Sequence, residues 1–306
     1  MGIPSGDVDM SAPAYVSTAA VRGAYTDLES HVTAYRGSGI PAIELGWAAA
    51  PRRTPVGDWL ASMSDIRFLI HNYFPLPSDA FVLNLASADD DVQARSFAMA
   101  TDAIGLSARL GAPFYSVHAG FSAEFRPESL GRTLDRGAIV PRDDALEIFR
   151  RGIDALAELA GAAGVDLLIE PNVVDRRNLV EGRNELLLLA EPDEIVTFMR
   201  ALDQKSVGVL LDTGHLNVTA HTLGFDRAEF IEAVAPWIRG LHVHDNDGSA
   251  DQHRPLDPVS WVLDVVRDSR FADCPLVLES VFPSVAEAAE YRAWFESARL
   301  QPTTVQ

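Results

Sequence analysis

Residues 238–253 read I-R-G-L-H-V-H-D-N-D-G-S-A-D-Q-H. The stretch opens as a short apolar run and closes as a crowd of polar side chains. His242, His244 and His253, with Asp245, Asp247 and Asp251, fall within twelve residues. Neutral imidazole and carboxylate suit divalent zinc, manganese or cobalt. An apolar run that ends in such groups reads as a buried strand carrying chemistry at its C-terminal end. Whether the rest of the chain repeats the pattern decides the fold.

The pattern recurs. Short apolar, β-branched runs lie at 14–18, 40–45, 66–71, 113–118, 165–170, 207–212, 238–242 and 275–279. Helical patterns follow them. The first has Thr26 or Asp27 as N-cap, and others cover 56–63, 90–110, 143–163, 226–235, 258–268 and 284–299. A further one begins near Pro192, a good first-turn residue. Gly111 and Gly164 stand where two long helices should stop. Runs such as V-G-V-L-L and P-L-V-L are apolar without alternation, as strands covered on both faces require. Eight strand–helix units close most simply into one (β/α)8 TIM barrel, a single α/β domain over residues 14–299. A doubly wound open sheet is the alternative. Residues 1–13 read as a disordered lead-in and 300–306 as a tail.

Composition narrows the function. The chain has 306 residues, 47% of them hydrophobic, enough for a large core. No apolar run approaches the ~18 residues of a membrane span, so no membrane partner is expected. A single cysteine, Cys274, rules out a disulfide framework and thiolate clusters and points to the cytoplasm. With 25 Lys and Arg against 44 Asp and Glu, the net charge of −19 repels polyanions, so nucleic acid is not the expected partner.

The run ends carry the chemistry. Glu44 lies in the second run, and His71, His118, Glu170 and Asp212 end the next four. His215 follows in D-T-G-H, the seventh run ends in His242 and leads to Asp251 and His253, and the eighth ends in Glu279. A barrel gathers the C-terminal ends of its strands at one mouth, where these groups would converge. Any one of them could be a locally bonded polar residue, and Glu44 is as easily structural as functional. The set resists that reading, because clustered carboxylates repel one another without cations. His244 lies two residues beyond His242, on the same side of the strand, and fits an outer contact to ligand or substrate. Asp245 and Asp247, beside Asn246 and Gly248, read as turn formers. Trp47, Tyr73 and Phe74 could pack against a substrate face, or simply fill loops. His31 and His221 have no assigned role.

The motifs L-L-I-E-P-N, L-L-D-T-G-H, G-L-H-V-H-D-N-D-G, D-Q-H and V-L-E-S resemble those of the xylose isomerase-like, AP-endonuclease-family-2 barrels, over residues 14–295. That group includes sugar-phosphate isomerases and epimerases and endonuclease IV. The resemblance implies one divalent metal on Glu170, Asp212, His242 and Glu279, with His215 touching substrate. In the endonuclease IV pattern it implies further metal on His71, His118, His215, Asp251 and His253. The chain departs from many relatives after His253, where R-P-L-D-P-V-S replaces a Pro-Gly-x-Gly turn and sets Arg254 near the mouth.

The leading expectation is a sugar or polyol isomerase/epimerase, with Glu170 and Glu279 as proton-transferring carboxylates beside a metal-chelated carbonyl. The cofactor is a divalent ion (manganese, zinc, cobalt or magnesium), with no organic cofactor. His215, Arg254, His244, Glu44 and Trp47 are the substrate-contact candidates. Alternatives are a multinuclear zinc hydrolase and a metal-dependent lyase or dehydratase on a cyclic polyol. Exposed apolar helix faces leave room for a homo-oligomer.

Overall fold

A computed structural model describes residues 13–21, 25, 27–46, 55–77, 79–129 and 137–301. The proposed lead-in up to residue 12, Thr26, Trp47 and residues 302–306 lie outside the described residues. Eight parallel strands form a closed barrel in sequence order. They are β1 Tyr15–Ser17, β2 Ala42–Leu45, β3 Arg67–His71, β4 Phe114–His118, β5 Asp166–Glu170, β6 Val207–Asp212, β7 Ile238–Val243 and β8 Leu276–Leu278. The helices around them are α1 Leu28–Gly37, α2 Val56–Ala61, α3 Asp90–Leu110, α4 Arg142–Ala163, α5 Pro192–Leu202, α6 Thr213–Leu223, α7 Arg227–Val234, α8 Val262–Val266 and α9 Val285–Arg299. None of the described helices is long and apolar enough to cross a membrane.

Local chemistry sets the helix ends. The Asp27 carboxylate accepts from the Ser30 amide at 2.8 Å and starts α1. Asp89 and Ser284 cap α3 and α9 in the same way. Gly111 adopts a left-handed φ of 67° and ends α3.

Two helices differ from the sequence reading. Residues 258, 259 and 261 are turn and helix α8 covers only Val262–Val266, so it is shorter than 258–268. The other difference is α6, a helix that no pattern in the sequence marks. Seven of its residues are buried, Thr213–Leu216 and Val218–Ala220. A helix covered on most sides shows no polar stripe, so its period is hidden.

Strand alternation divides the core. Leu69, Phe114, Leu168, Leu210 and Val277 meet inside the barrel with Tyr15, Ala42 and Ala112. Residues of opposite parity, such as Ile70, Val117, Ile169, Leu211 and Val243, join the larger core that includes the helices. Full burial of each large aliphatic side chain is worth about 1.5–3 kcal/mol. One step up the inner face, two residues beyond Ala42, Leu69, Leu168, Leu210 and Val277, stand Glu44, His71, Glu170, Asp212 and Glu279. The period of two that fills the barrel with aliphatic groups thus places the polar groups at its mouth.

Candidate metal centre

Register brings the first pairs together. His118 lies opposite Glu170 across β4 and β5, and Asp212 lies opposite His242 across β6 and β7. His242 is fully buried, and its Nε2–H donates to Glu44 Oε2 at 2.8 Å. An ionised carboxylate can only accept, so in the neutral imidazole the proton sits on Nε2 and Nδ1 carries the lone pair. That nitrogen has no hydrogen-bond partner and faces Glu170 Oε1 at 3.6 Å, Asp212 Oδ2 at 3.6 Å and Glu279 Oε2 at 3.5 Å. Four ligand-type side chains therefore converge, with a carboxylate steadying the imidazole from behind.

Glu170 is the hub. Its Oε2, which has no hydrogen-bond partner, lies 3.4 Å from His71 Nε2 and 3.7 Å from His118 Nε2. Its Oε1 lies 3.2 Å from His215 Nδ1. The two oxygens thus face different groups: Glu170 belongs to a set with Asp212 and His242 and to another with His71 and His118. Glu44, His71 and His242 also lie close enough to hold an ion.

A rim set completes the mouth. His215 Nδ1 donates to the Pro171 carbonyl at 3.2 Å, leaving Nε2 to face Asp251 Oδ2 at 3.6 Å. His253 Nε2 lies 3.0 Å from the same oxygen. His253 holds a left-handed φ of 48°, unusual for a residue with a side chain. Its position is fixed by antiparallel bonds between Asp245 and Arg254, 2.8 Å each way.

Burial disfavours charge on these groups, yet their mutual fields win. Burial pushes the Glu170 carboxyl up, but the imidazoles of His118, His242, His71 and His215 bring it down to about 2. Asp212, Asp251 and Glu279 are likewise held low against burial by facing histidines. Burial opposes charge on His215 and His242, but Asp212 and Glu44 respectively lead the carboxylates that raise both well above the usual histidine range. His118, where burial prevails, falls to about 4.

These features test the fit of metal ions. The five carboxylates of Glu44, Glu170, Asp212, Asp251 and Glu279 crowd one mouth, and the imidazoles among them offer lone pairs once a cation takes the place of their protons. Atoms buried without a partner include Glu170 Oε2, His242 Nδ1, Asp251 Oδ1 and His253 Nδ1. Divalent cations satisfy both the charge and the lone pairs, and the nitrogen and oxygen donors suit zinc, manganese or cobalt.

The structure also shows the surroundings of three residues singled out in the sequence. Glu44, grouped with substrate contacts, is fully buried behind His242. The Arg254 guanidinium is engaged by Asp247 Oδ2 at 2.9 Å on the exposed rim. Tyr73 is anchored inside its own loop, where its hydroxyl accepts from the Leu83 amide. The sequence reading missed Asn172, whose amide donates at 3.0 Å to each of the Ala119, Gly120 and Leu188 carbonyls and so ties together the loops after β4 and β5. Its place two residues after Glu170 was the available signal.

Residues 33–298 match the family model described as xylose isomerase-like TIM barrel. The chain belongs to that family. It is 27% identical over 215 residues to a protein from Thermoplasma acidophilum named probable endonuclease 4, covering 66% of this chain and 66% of that one. The chain thus spans a little under two thirds of that relative's length. A second probable endonuclease 4, from Campylobacter concisus, is 23% identical over 227 residues, covering 69% of this chain and 72% of that protein. Among solved structures, a D-tagatose 3-epimerase-like protein superposes with a TM-score of 0.70 at 18% identity, covering 94% of this chain and 97% of that one. The likeness to that solved structure is one of fold.

Proposed function

We propose that the chain is a divalent-metal hydrolase of small phosphoesters, with a centre that holds more than one ion. The observation that carries this reading is Glu170, whose two oxygens face two different ligand sets. A carboxylate committed on both sides is a poor free base, which weakens its expected role in shuttling a proton. Likeness to proteins named probable endonuclease 4 supports phosphoester hydrolysis. The net charge of −19 favours a small substrate over a polynucleotide.

Residues Glu170, Asp212, His242 and Glu279 would hold the central ion, His71 and His118 with Glu170 a second, and His215, Asp251 and His253 a third. Ions bound there supply Lewis acidity toward a phosphoryl oxygen and lower the pKa of an attacking water. The protein's own part is orientation: Glu44 aims His242, the Pro171 carbonyl aims His215, and Asn172 fixes the loops beside Glu170. His118 has the most exposed side chain of the nine, at 29%, and would be the first of them to meet a substrate.

A second reading keeps the isomerase/epimerase chemistry. Glu170 and Glu279 both lie within 3.6 Å of His242 Nδ1, so one central ion would leave two carboxylates flanking a chelated substrate. Elemental analysis combined with two assays separates the readings. The first assay is hydrolysis of p-nitrophenyl phosphate and bis-p-nitrophenyl phosphate. The second is deuterium wash-in from solvent into a ketose panel. Two or three ions per chain with hydrolysis is the expected result. One ion per chain with carbon-bound deuterium overturns it in favour of the second reading.

A further inference from the structure

His244 lies outside the three ligand sets, yet it touches two of them. It is fully buried, with Nε2 3.0 Å from Asp212 Oδ1 and 3.1 Å from Oδ2. Because a carboxylate can only accept, Nε2–H is the donor. Its Nδ1 stands 3.8 Å from Asp251 Oδ1, and both atoms lack a hydrogen-bond partner. Its ring stacks on His253 with centroids 4.3 Å apart and planes at 23°. One side chain therefore contacts a central ligand, Asp212, and three rim ligands: Asp251, His253 and, edge-on with centroids 6.3 Å apart, His215. No ion pair or ring contact joins it to His71 or His118.

The backbone is shaped around this ring. A Cβ on Gly214 would sit 1.9 Å from His244 Cε1 and 2.4 Å from Nδ1, far inside van der Waals contact. Only glycine leaves the notch that seats the imidazole. The Thr213 hydroxyl donates to the His244 carbonyl at 2.7 Å, so two successive residues of D-T-G-H hold it.

His244, His253 and Glu279 could be read as a ligand set of their own. The stacking argues otherwise: near-parallel rings direct their lone pairs side by side, whereas one ion needs them to converge. We infer that His244 is a positioning residue that couples the central and rim metal positions, holding Asp212 with one edge and the Asp251–His253 pair with the other edge and its face. The His71–His118 position is independent of it. This inference rests on the metal-centre reading of the proposed function.

The test is Co2+ titration of the whole chain, followed by the visible absorption of the bound ion and by ions per chain. The uptake phase abolished by His118→Ala marks the His71–His118 position. In His244→Leu that phase keeps its affinity, while the central and rim phases weaken about 10- to 100-fold, the usual effect of losing an outer-shell partner. His244→Gln, which retains an N–H for Asp212, recovers the central phase. Gly214→Ala, which displaces the ring without removing it, repeats the Leu pattern and serves if His244→Leu does not fold. Equal weakening of every phase, or no recovery in the Gln variant, overturns the inference and leaves His244 as ordinary packing. Wild-type uptake matched by His244→Leu also overturns it. A wild-type chain that takes up no cobalt overturns the metal-centre reading itself.

Discussion

Glu44→Gln isolates how a buried carboxylate aims a candidate metal ligand. Glu44 and His242 are both fully buried, and their bond is 2.8 Å long. A glutamine keeps the volume and removes the charge. If its amide oxygen faces Nε2, the bond survives as a neutral one, about half as strong as the charge-assisted original. If its NH2 faces Nε2, two donors collide and the imidazole proton moves to Nδ1. That atom faces Glu170, Asp212 and Glu279, so the change blocks the ligand lone pair. Either way the central ion is held more weakly, by about 10- to 100-fold or ~1.4–2.7 kcal/mol, the range for outer-shell carboxylates. Competition with a chromophoric chelator at fixed pH measures this, with circular dichroism as the folding control. Unchanged affinity at every position would refute the reasoning. Complete loss of one ion, with the others intact, would show instead that Glu44, His71 and His242 hold an ion directly.

Glu170→Gln should act on two positions at once, because each oxygen serves a different set. Ions per chain should fall by more than one and turnover should disappear, whereas loss of a single ion would show that Glu170 does not bridge. A separate effect is expected at His31, buried against Tyr25 and Tyr35 with centroids 4.6 and 4.7 Å away. Burial lowers its pKa from 6.5 to about 4, so the native state keeps it neutral while the unfolded state binds a proton. Its contribution is fully present above pH 6.5 and is lost as pH falls toward 4. Between pH 7.5 and pH 5 that loss is about 2 kcal/mol. Urea unfolding at those two pH values should show a smaller difference for His31→Phe than for wild type, and equal differences would discount the histidine.

The barrel was legible because its strands are buried on both faces and the polar groups recur at their C-terminal ends. Convergence of His71, His118, Glu170, Asp212, His242 and Glu279 then follows from topology. What sequence could not supply was direction. Glu44 and Asp212 look alike as acidic groups on apolar runs, yet one stands behind an imidazole and the other faces into the centre. Helix α6 was hidden because its buried surroundings erase the amphipathic period. Arg254 could be placed near the mouth, but its bond to Asp247 depends on how the intervening turn folds.

Asp212 ends β6 and also caps α6, accepting from the His215 amide at 2.7 Å. Strand, helix start and candidate ligand thus share one side chain, with no loop between them. Selection for folding alone would retain an aspartate or asparagine here, even in a descendant that had lost its chemistry. A surviving acid at this point is therefore a poor marker of surviving activity. His71 and His118, which cap no helix, are better witnesses when homologues are sorted into working enzymes and relics.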